Sequence, residues 1–189
     1  MMAAILEDYL RFYPTEERDL SLAIKQVENS HNDLELFDRK NFVGHFTASI
    51  LLIRPSEKKI LLLDHKSLKK LLQPGGHIEL VDKTPFDAAL RELFEETQIS
   101  PEQISYRPLD PTNKLVPLHI SSHFIPENPK KHELKHYHHD LEYLFIIDNT
   151  SNITIDDNES NGFRWVSFDT LLDQDHFSVA ASKIKNLIS

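Results

Sequence analysis

Three glutamates, Glu92, Glu95 and Glu96, stand at i, i+3 and i+4 within AALRELFEET. On a helix such positions are surface neighbours, so like charges there repel by a few tenths of a kcal/mol per pair. A hard divalent cation removes that penalty, since Mg2+ and Mn2+ prefer carboxylate and water oxygens. A solvated acidic helix face is the plain alternative for E-x-x-E-E taken alone. Arg91 immediately precedes the first glutamate and lies four residues before Glu95, where it can orient a carboxylate. Gly75 and Gly76, half of the four glycines in the chain, stand shortly upstream.

A second constellation is His136, His138 and Asp140, which share one face of a strand at i, i+2 and i+4. Two neutral imidazoles at that spacing can share a transition metal. Asp140 can orient a histidine from behind. His123 opposes them across the polar hairpin of residues 126–135. The functional expectation is an additional transition metal, or a phosphate-contacting wall facing the glutamates. The plain one is a polar strand face with solvated or satisfied histidines. His45, His65 and His77 carry weaker signals singly. Lys130 and Lys131 make a small basic patch. Phe124, Tyr143 and Trp165 offer faces that could stack a nucleobase, with core packing expected for at least two of them.

The elements that must position these groups are readable. Thr84 suits an N-cap, Pro85 the first helical position and Asp87 the acid of a capping box. At about 100° per residue, Phe86, Leu90, Leu93, Phe94 and Thr97 fall on one side and the glutamates on the other. Phe46–Ile53 and Ile60–Leu63 read as an antiparallel hairpin around the turn at residues 54–59. Further strands are expected at Leu115–Phe124, His136–Ile147 and Phe163–Phe168. In the second of these, the odd positions from Tyr137 to Ile147 suit a core face and the even ones, His136 to Glu142, a polar face. Helices are expected at 2–11, from a Thr15 cap through Leu20, Ile24 and Val27, from about 167 to 172, and at 176–188. Strands and helices mix without regular alternation, which predicts a mixed sheet with helices packed on it.

The stretch from Gly76 to Ile99 resembles the Nudix box, G-x5-E-x7-R-E-U-x-E-E-x-G-U, where U is a bulky aliphatic residue. Arg91-Glu92-Leu93-Phe94-Glu95-Glu96 matches its second half and Ile99 its last position. The resemblance extends over roughly residues 40–175. It implies an α+β fold, an α/β/α sandwich with a mixed β-sheet between helices. Residues 1–40 would form an N-terminal helical extension packed on a domain spanning 41–189. It also implies Mg2+ or Mn2+ held by Glu92, Glu95, Glu96 and a backbone carbonyl at Gly75. Arg91 would orient a carboxylate, and an acid outside the box, Glu159 or Glu142, would serve as base or extra ligand. Catalytic roles therefore fall to Glu92, Glu95, Arg91 and Glu159. Two departures stand out. The interval from Gly76 to Arg91 is one residue longer than the pattern, so the early acid is out of register: Lys83 stands at its spacing counted back from Arg91, with Asp82 beside it and Glu79 nearby. Gln98 replaces the last glycine, where a left-handed cap costs a non-glycine residue about 1 kcal/mol.

The implied activity is metal-dependent cleavage of the diphosphate linkage in a nucleoside diphosphate joined to another moiety. The alternative is a non-catalytic nucleotide-sensing module on the same fold. A prenyl diphosphate isomerase of this fold ranks low, because the chain has no cysteine. Absence of cysteine also excludes disulfides and thiolate metal sites. The net charge of -9 argues against nucleic acid as a partner. The N-terminus lacks a signal-peptide pattern and no apolar run approaches a membrane span, so a cytoplasmic protein is expected, with no membrane partner. A homodimer is an open option.

Overall fold

The computed structural model describes residues 1–129, 132–148 and 152–188. Strand β1 (His45–Arg54) is buried along nearly its whole length, on both faces. Such a strand has to be central, with a layer on each side of it. It runs parallel to β7 (His136–Ile147), from His45 opposite His138 to Ile53 opposite Ile146. It pairs antiparallel with β2 (Lys59–His65), Ile53 opposite Ile60, giving the expected hairpin.

The remaining strands complete an eight-stranded mixed sheet. β3 (Lys70–Leu72) pairs with β2, and β4 (Gly75–His77) lies antiparallel on β1. β5 (Ile104–Tyr106) and β6 (His119–Ile125) pair with β7, and β8 (Ser160–Ser167) pairs with β2. Three sequence expectations shift here. The strand expected from Leu115 starts at His119, the one expected from Phe163 starts at Ser160, and the Pro-Gly-Gly breaker leads into a short strand. Double glycine punctuates a chain locally, but a neighbouring strand edge can still recruit its backbone groups.

Helices cover both faces. On one face α1 (Met2–Phe12) and α4 (Pro85–Thr97) share a core with β1 and β7. Ile5, Leu6, Tyr9, Ala89 and Leu93 meet Phe46, Ala48, Ile50 and Leu141 there. On the other face α5 (Phe168–Leu172) and α6 (Asp175–Ile188) pack Phe168, Phe177, Ala181 and Ile184 against Leu51, Ile53 and Leu144. This is the mixed-sheet α+β architecture expected. Thr15 does not cap the second helix. Pro14–Glu16 forms a tight turn, and α2 (Ser21–Asn29) begins later, followed by α3 (Asp33–Phe37). No helix among the described residues is long and apolar enough to cross a membrane.

One polar junction ties the N-terminal segment to the far helix. The Lys183 ammonium of α6 donates to Tyr9 Oη at 2.6 Å, to Glu16 Oε2 at 2.9 Å and to His119 Nδ1 at 3.0 Å. Its three donors are thereby satisfied. It also lies 3.6 Å from the Tyr13 ring centroid, a cation–π contact.

Candidate functional site

Helix α4 starts as its sequence dictates. Thr84 Oγ1 accepts from the Asp87 N–H at 3.2 Å, and Pro85 takes the first position, where no N–H is needed. It ends at Gln98 in the left-handed conformation, φ 55°. The Gln98 N–H (2.8 Å) and side-chain Nε2 (3.2 Å) both donate to the Phe94 carbonyl. The buried arc is rotated from the expected one. Phe94 is 44% exposed, whereas Glu96 is 7% exposed. Ala88 and Ala89 explain this: being small, they let that side of the helix approach the sheet and carry Glu96 inward with it.

Strand β4 is held between β1 and these glutamates. The Gly75 N–H donates to Glu96 Oε2 at 2.8 Å. A Cβ on Gly75 would lie 2.6 Å from Ser49 Cα, and one on Gly76 would lie 2.6 Å from Glu92 Oε1. Gly75 therefore requires glycine for close approach to the β1 backbone, whereas a Cβ at Gly76 would displace the end of the Glu92 side chain. Arg91 organises the other side. It donates to Asp82 through Nε (3.1 Å) and Nη2 (2.9 Å), to Glu92 (3.0 Å) and Glu95 (2.8 Å) through Nη1, and to the His77 carbonyl through Nη2 (2.9 Å). Asp82 also accepts from the Glu79 N–H at 2.8 Å, closing the loop. The acid displaced by the extra box residue is thus Asp82. Lys83 is exposed and Glu79 contributes its backbone.

Residues 152–159 run beside the end of α4. The Thr154 N–H donates to the Thr97 carbonyl and the Asp156 N–H to the Glu96 carbonyl, each at 3.0 Å. This brings Glu159 and Asp156 to the helix. Glu92, Phe94, Glu95, Glu96, Gln98, Asp156 and Glu159 line one cleft of about 350 Å³. Burial pushes the Glu92 carboxyl up to about 7 against the pull of Arg91, with Glu95 and Glu159 adding repulsion. Burial pushes Glu96 up to about 8 against the Gly75 N–H, with Glu92, Glu159 and Asp156 adding to it. So dense a carboxylate set in one cleft calls for positive charge, and hard oxygen donors suit Mg2+ or Mn2+. Asp156 was not singled out from sequence. Only its acidic neighbourhood hinted at it, and the backbone bond to Glu96 is long-range.

The histidines assemble elsewhere. Along β1, His45, Thr47 and Ser49 alternate with Phe46, Ala48 and Ile50, so they occupy the sheet face opposite α4. His138 stands beside His45, and His77 opposite Thr47, on that same face. The expected wall therefore lies on the other side of β4 from Glu92 rather than facing it. His45 to His138 is 4.5 Å between ring centroids, His45 to His77 is 5.1 Å and His77 to His138 is 5.4 Å. His136 and His123 flank His138 at 5.0 and 5.6 Å. Among the described residues, Asp140 orients no histidine by a hydrogen bond. It accepts from Thr47 Oγ1 (2.8 Å), Ser49 Oγ (2.5 Å) and Gln73 Nε2 (3.1 Å). The even face of β7 is polar as expected, but it is buried: His136, Asp140 and Glu142 are each 5% exposed or less. Burial lowers His45 to about 4 and His138 far below the ordinary range, so both are neutral.

Glu142 lies on this histidine face, away from the glutamate cleft. Tyr143 is a core residue, Trp165 sits 4.1 Å beneath the Arg54 guanidinium and Phe124 is exposed. His65 accepts from the Ser67 N–H at 3.2 Å, a local turn contact. Lys130 and Lys131 lie outside the described residues.

Comparison with known proteins identifies the family of the fold. A family model described as the NUDIX domain matches residues 44–187. A protein of Lactococcus lactis subsp. cremoris described as a probable DHNTP pyrophosphohydrolase is 33% identical over 133 residues, 70% of this chain and 72% of that protein. A NUDIX-family hydrolase from Clostridium perfringens superposes with a TM-score of 0.58 at 25% identity, covering 77% of this chain and 98% of that one. The dihydroneopterin triphosphate pyrophosphohydrolase of E. coli superposes with a TM-score of 0.56 at 13% identity, covering 76% and 94%. At that identity the likeness speaks for the fold alone.

Proposed function

The chain belongs to the Nudix family and is a pyrophosphohydrolase of it, and from that premise we propose that it uses Mg2+ or Mn2+ to cleave the diphosphate linkage of a nucleoside diphosphate joined to another moiety. The observation that carries this reading is the convergence of Glu92, Glu95, Glu96 and Glu159 on one cleft. Glu92, Glu95 and Glu96, with the Gly75 carbonyl, would hold the cation. Bound there, it would neutralise phosphate charge and make water a stronger nucleophile at neutral pH. The chain's own residues set up the rest. Arg91 bridges Glu92 and Glu95, holding both carboxylates in place, and is itself fixed by Asp82. The Gly75 N–H aims Glu96. Glu159, which lines the same cleft, would take the proton of the attacking water, and the P–O bond of the diphosphate bridge would break as the new one forms.

A nucleotide sensor without turnover would be favoured by a damaged box. Neither departure damages it: Asp82 replaces the displaced acid, and Gln98 completes the helix cap. The 33% identical relative is the reason to set dihydroneopterin triphosphate beside nucleotides as a substrate.

The test is phosphate or pyrophosphate release from nucleotide sugars, dinucleoside polyphosphates, nucleoside triphosphates and dihydroneopterin triphosphate, with Mg2+ and with Mn2+. We expect turnover on at least one nucleoside diphosphate derivative, and its loss in Glu95→Gln and Glu96→Gln. Unchanged turnover in both variants would remove the site assignment. Turnover of the pterin compound alone would replace the substrate class, and tight nucleotide binding without turnover under either ion would select the sensor.

A further inference from the structure

We infer that His45, His77 and His138 form a second metal site, separate from the glutamate cleft, for a borderline divalent ion of the Zn2+ class. One ligand nitrogen from each of the three lies within 4.8 Å of the others. They come from three strands, β1, β4 and β7, so the site exists only in the folded sheet. Tetrahedral Zn–N bonds of about 2.1 Å put nitrogens roughly 3.4 Å apart.

The hydrogen bonds preset the lone pairs. His45 Nδ1 faces the Asn41 carbonyl at 3.4 Å, so it carries the proton. Its Nε2 then bears a lone pair, is buried and, among the described residues, has no hydrogen-bond partner. His45 itself is 1% exposed. An orphaned acceptor of that kind is costly unless a ligand fills it. His136 Nδ1 donates to the Leu134 carbonyl at 2.7 Å, which leaves His136 Nε2 as an acceptor. His138 Nε2 lies 3.1 Å from it and must supply the proton. The lone pair of His138 is therefore on Nδ1. Two of the three imidazoles are thus held in tautomers suited to a metal, His45 by the carbonyl behind it and His138 by the His136 ring. Imidazole donors select Zn2+, Cu2+ or Ni2+ over Mg2+, which takes oxygen.

The site would brace the neighbouring one. The His77 carbonyl accepts from Arg91, and the preceding glycines touch Glu92 and Glu96. An ion on His77 therefore pins the strand whose glycines touch Glu92 and Glu96.

The experiment is equilibrium dialysis of the full chain against Zn2+ alone in excess Mg2+, read by metal analysis, for wild type, His45→Gln, His138→Gln, His136→Gln and the double variant Glu95→Gln/Glu96→Gln. We expect one Zn2+ per wild-type chain, retained in the glutamate double variant. His45→Gln and His138→Gln should abolish retention, and His136→Gln should weaken it about 10- to 100-fold. Absence of retained Zn2+ in wild type, or its loss only in the glutamate variant, overturns the proposal. Circular dichroism of the metal-free variants identifies any that fail to fold. X-ray absorption on the zinc-loaded wild type decides independently of variants: a nitrogen-dominated shell supports the site, and an all-oxygen shell refutes it.

Discussion

Asp82 and Arg91 meet as a two-point ion pair, Nε to Oδ1 at 3.1 Å and Nη2 to Oδ2 at 2.9 Å. The Asp82 side chain is 4% exposed and that of Arg91 19%. The pairing absorbs the extra residue between Gly76 and Arg91 by turning the loop at Glu79–Asp82, so that Lys83 points to solvent. Asp82→Ala should therefore cost about 1.5–3 kcal/mol of stability, as expected for hydrogen bonds to a charged group. It should also lower turnover about 10- to 100-fold by freeing Arg91 from Glu92 and Glu95. Lys83→Ala should change stability by less than about 0.5 kcal/mol. Urea unfolding and steady-state rates for the two variants check this, and equal effects would contradict it.

Gln98 holds a left-handed conformation that costs a non-glycine residue roughly 1 kcal/mol. Gln98→Gly gives up one side-chain bond to the Phe94 carbonyl, which the backbone N–H already occupies. The net effect should be stabilising, up to about 1 kcal/mol, or about 2–4 °C in Tm for a chain this long. A lower melting temperature would show that the side-chain bond outweighs the strain.

Glu142 is 3% exposed, and its Oε2 has no hydrogen-bond partner among the described residues. Burial, aided by Asp140, raises its carboxyl to about 8 from the ordinary 4.5. A raised carboxyl binds its proton more tightly in the folded state. Its contribution to stability is therefore full below about pH 4.5 and is lost as pH rises toward 8. Glu142→Gln should flatten that part of the melting-temperature profile between pH 5 and 8. Parallel profiles for wild type and variant would exclude the carboxyl as its source.

Lys183 is a buried charge whose donors are all used, by Tyr9, Glu16 and His119. Lys183→Met removes the cation and leaves Glu16 without it, so destabilisation of about 3–5 kcal/mol is expected, as for a broken buried pair. Lys183→Met combined with Glu16→Gln should recover part of that loss. Chemical denaturation of both variants measures it, and no recovery in the double variant would mean that lost packing dominates.

The helix that carries the glutamates was legible because its information is local. A cap, a proline, a 3.6-residue period and glutamates at i, i+3 and i+4 need only their own segment to define a helix with crowded acids. The paired strands at residues 46–53 and 60–63 were legible for the same reason, with a polar turn between two apolar runs. The rotation of α4 was not. It depends on how closely Ala88 and Ala89 let the helix approach β4, which sets Glu96 inside and Phe94 outside. The partner of Arg91 was narrowed to neighbouring acids by counting, and the loop conformation selected Asp82. Glu159 was one of two candidate acids, and backbone bonds from residues 154 and 156 to the end of α4 brought it to the cleft while Glu142 went to the opposite face. His45 and His77 looked unremarkable singly. They meet His138 only because a parallel pairing sets His45 beside it and β4 joins the opposite edge of β1. Sequence by itself determined which side chains share a helix face or strand face, because those periods are properties of the backbone. Tertiary structure alone decided which faces meet, because strand pairing and helix docking join residues far apart in the chain through contacts that no local period encodes.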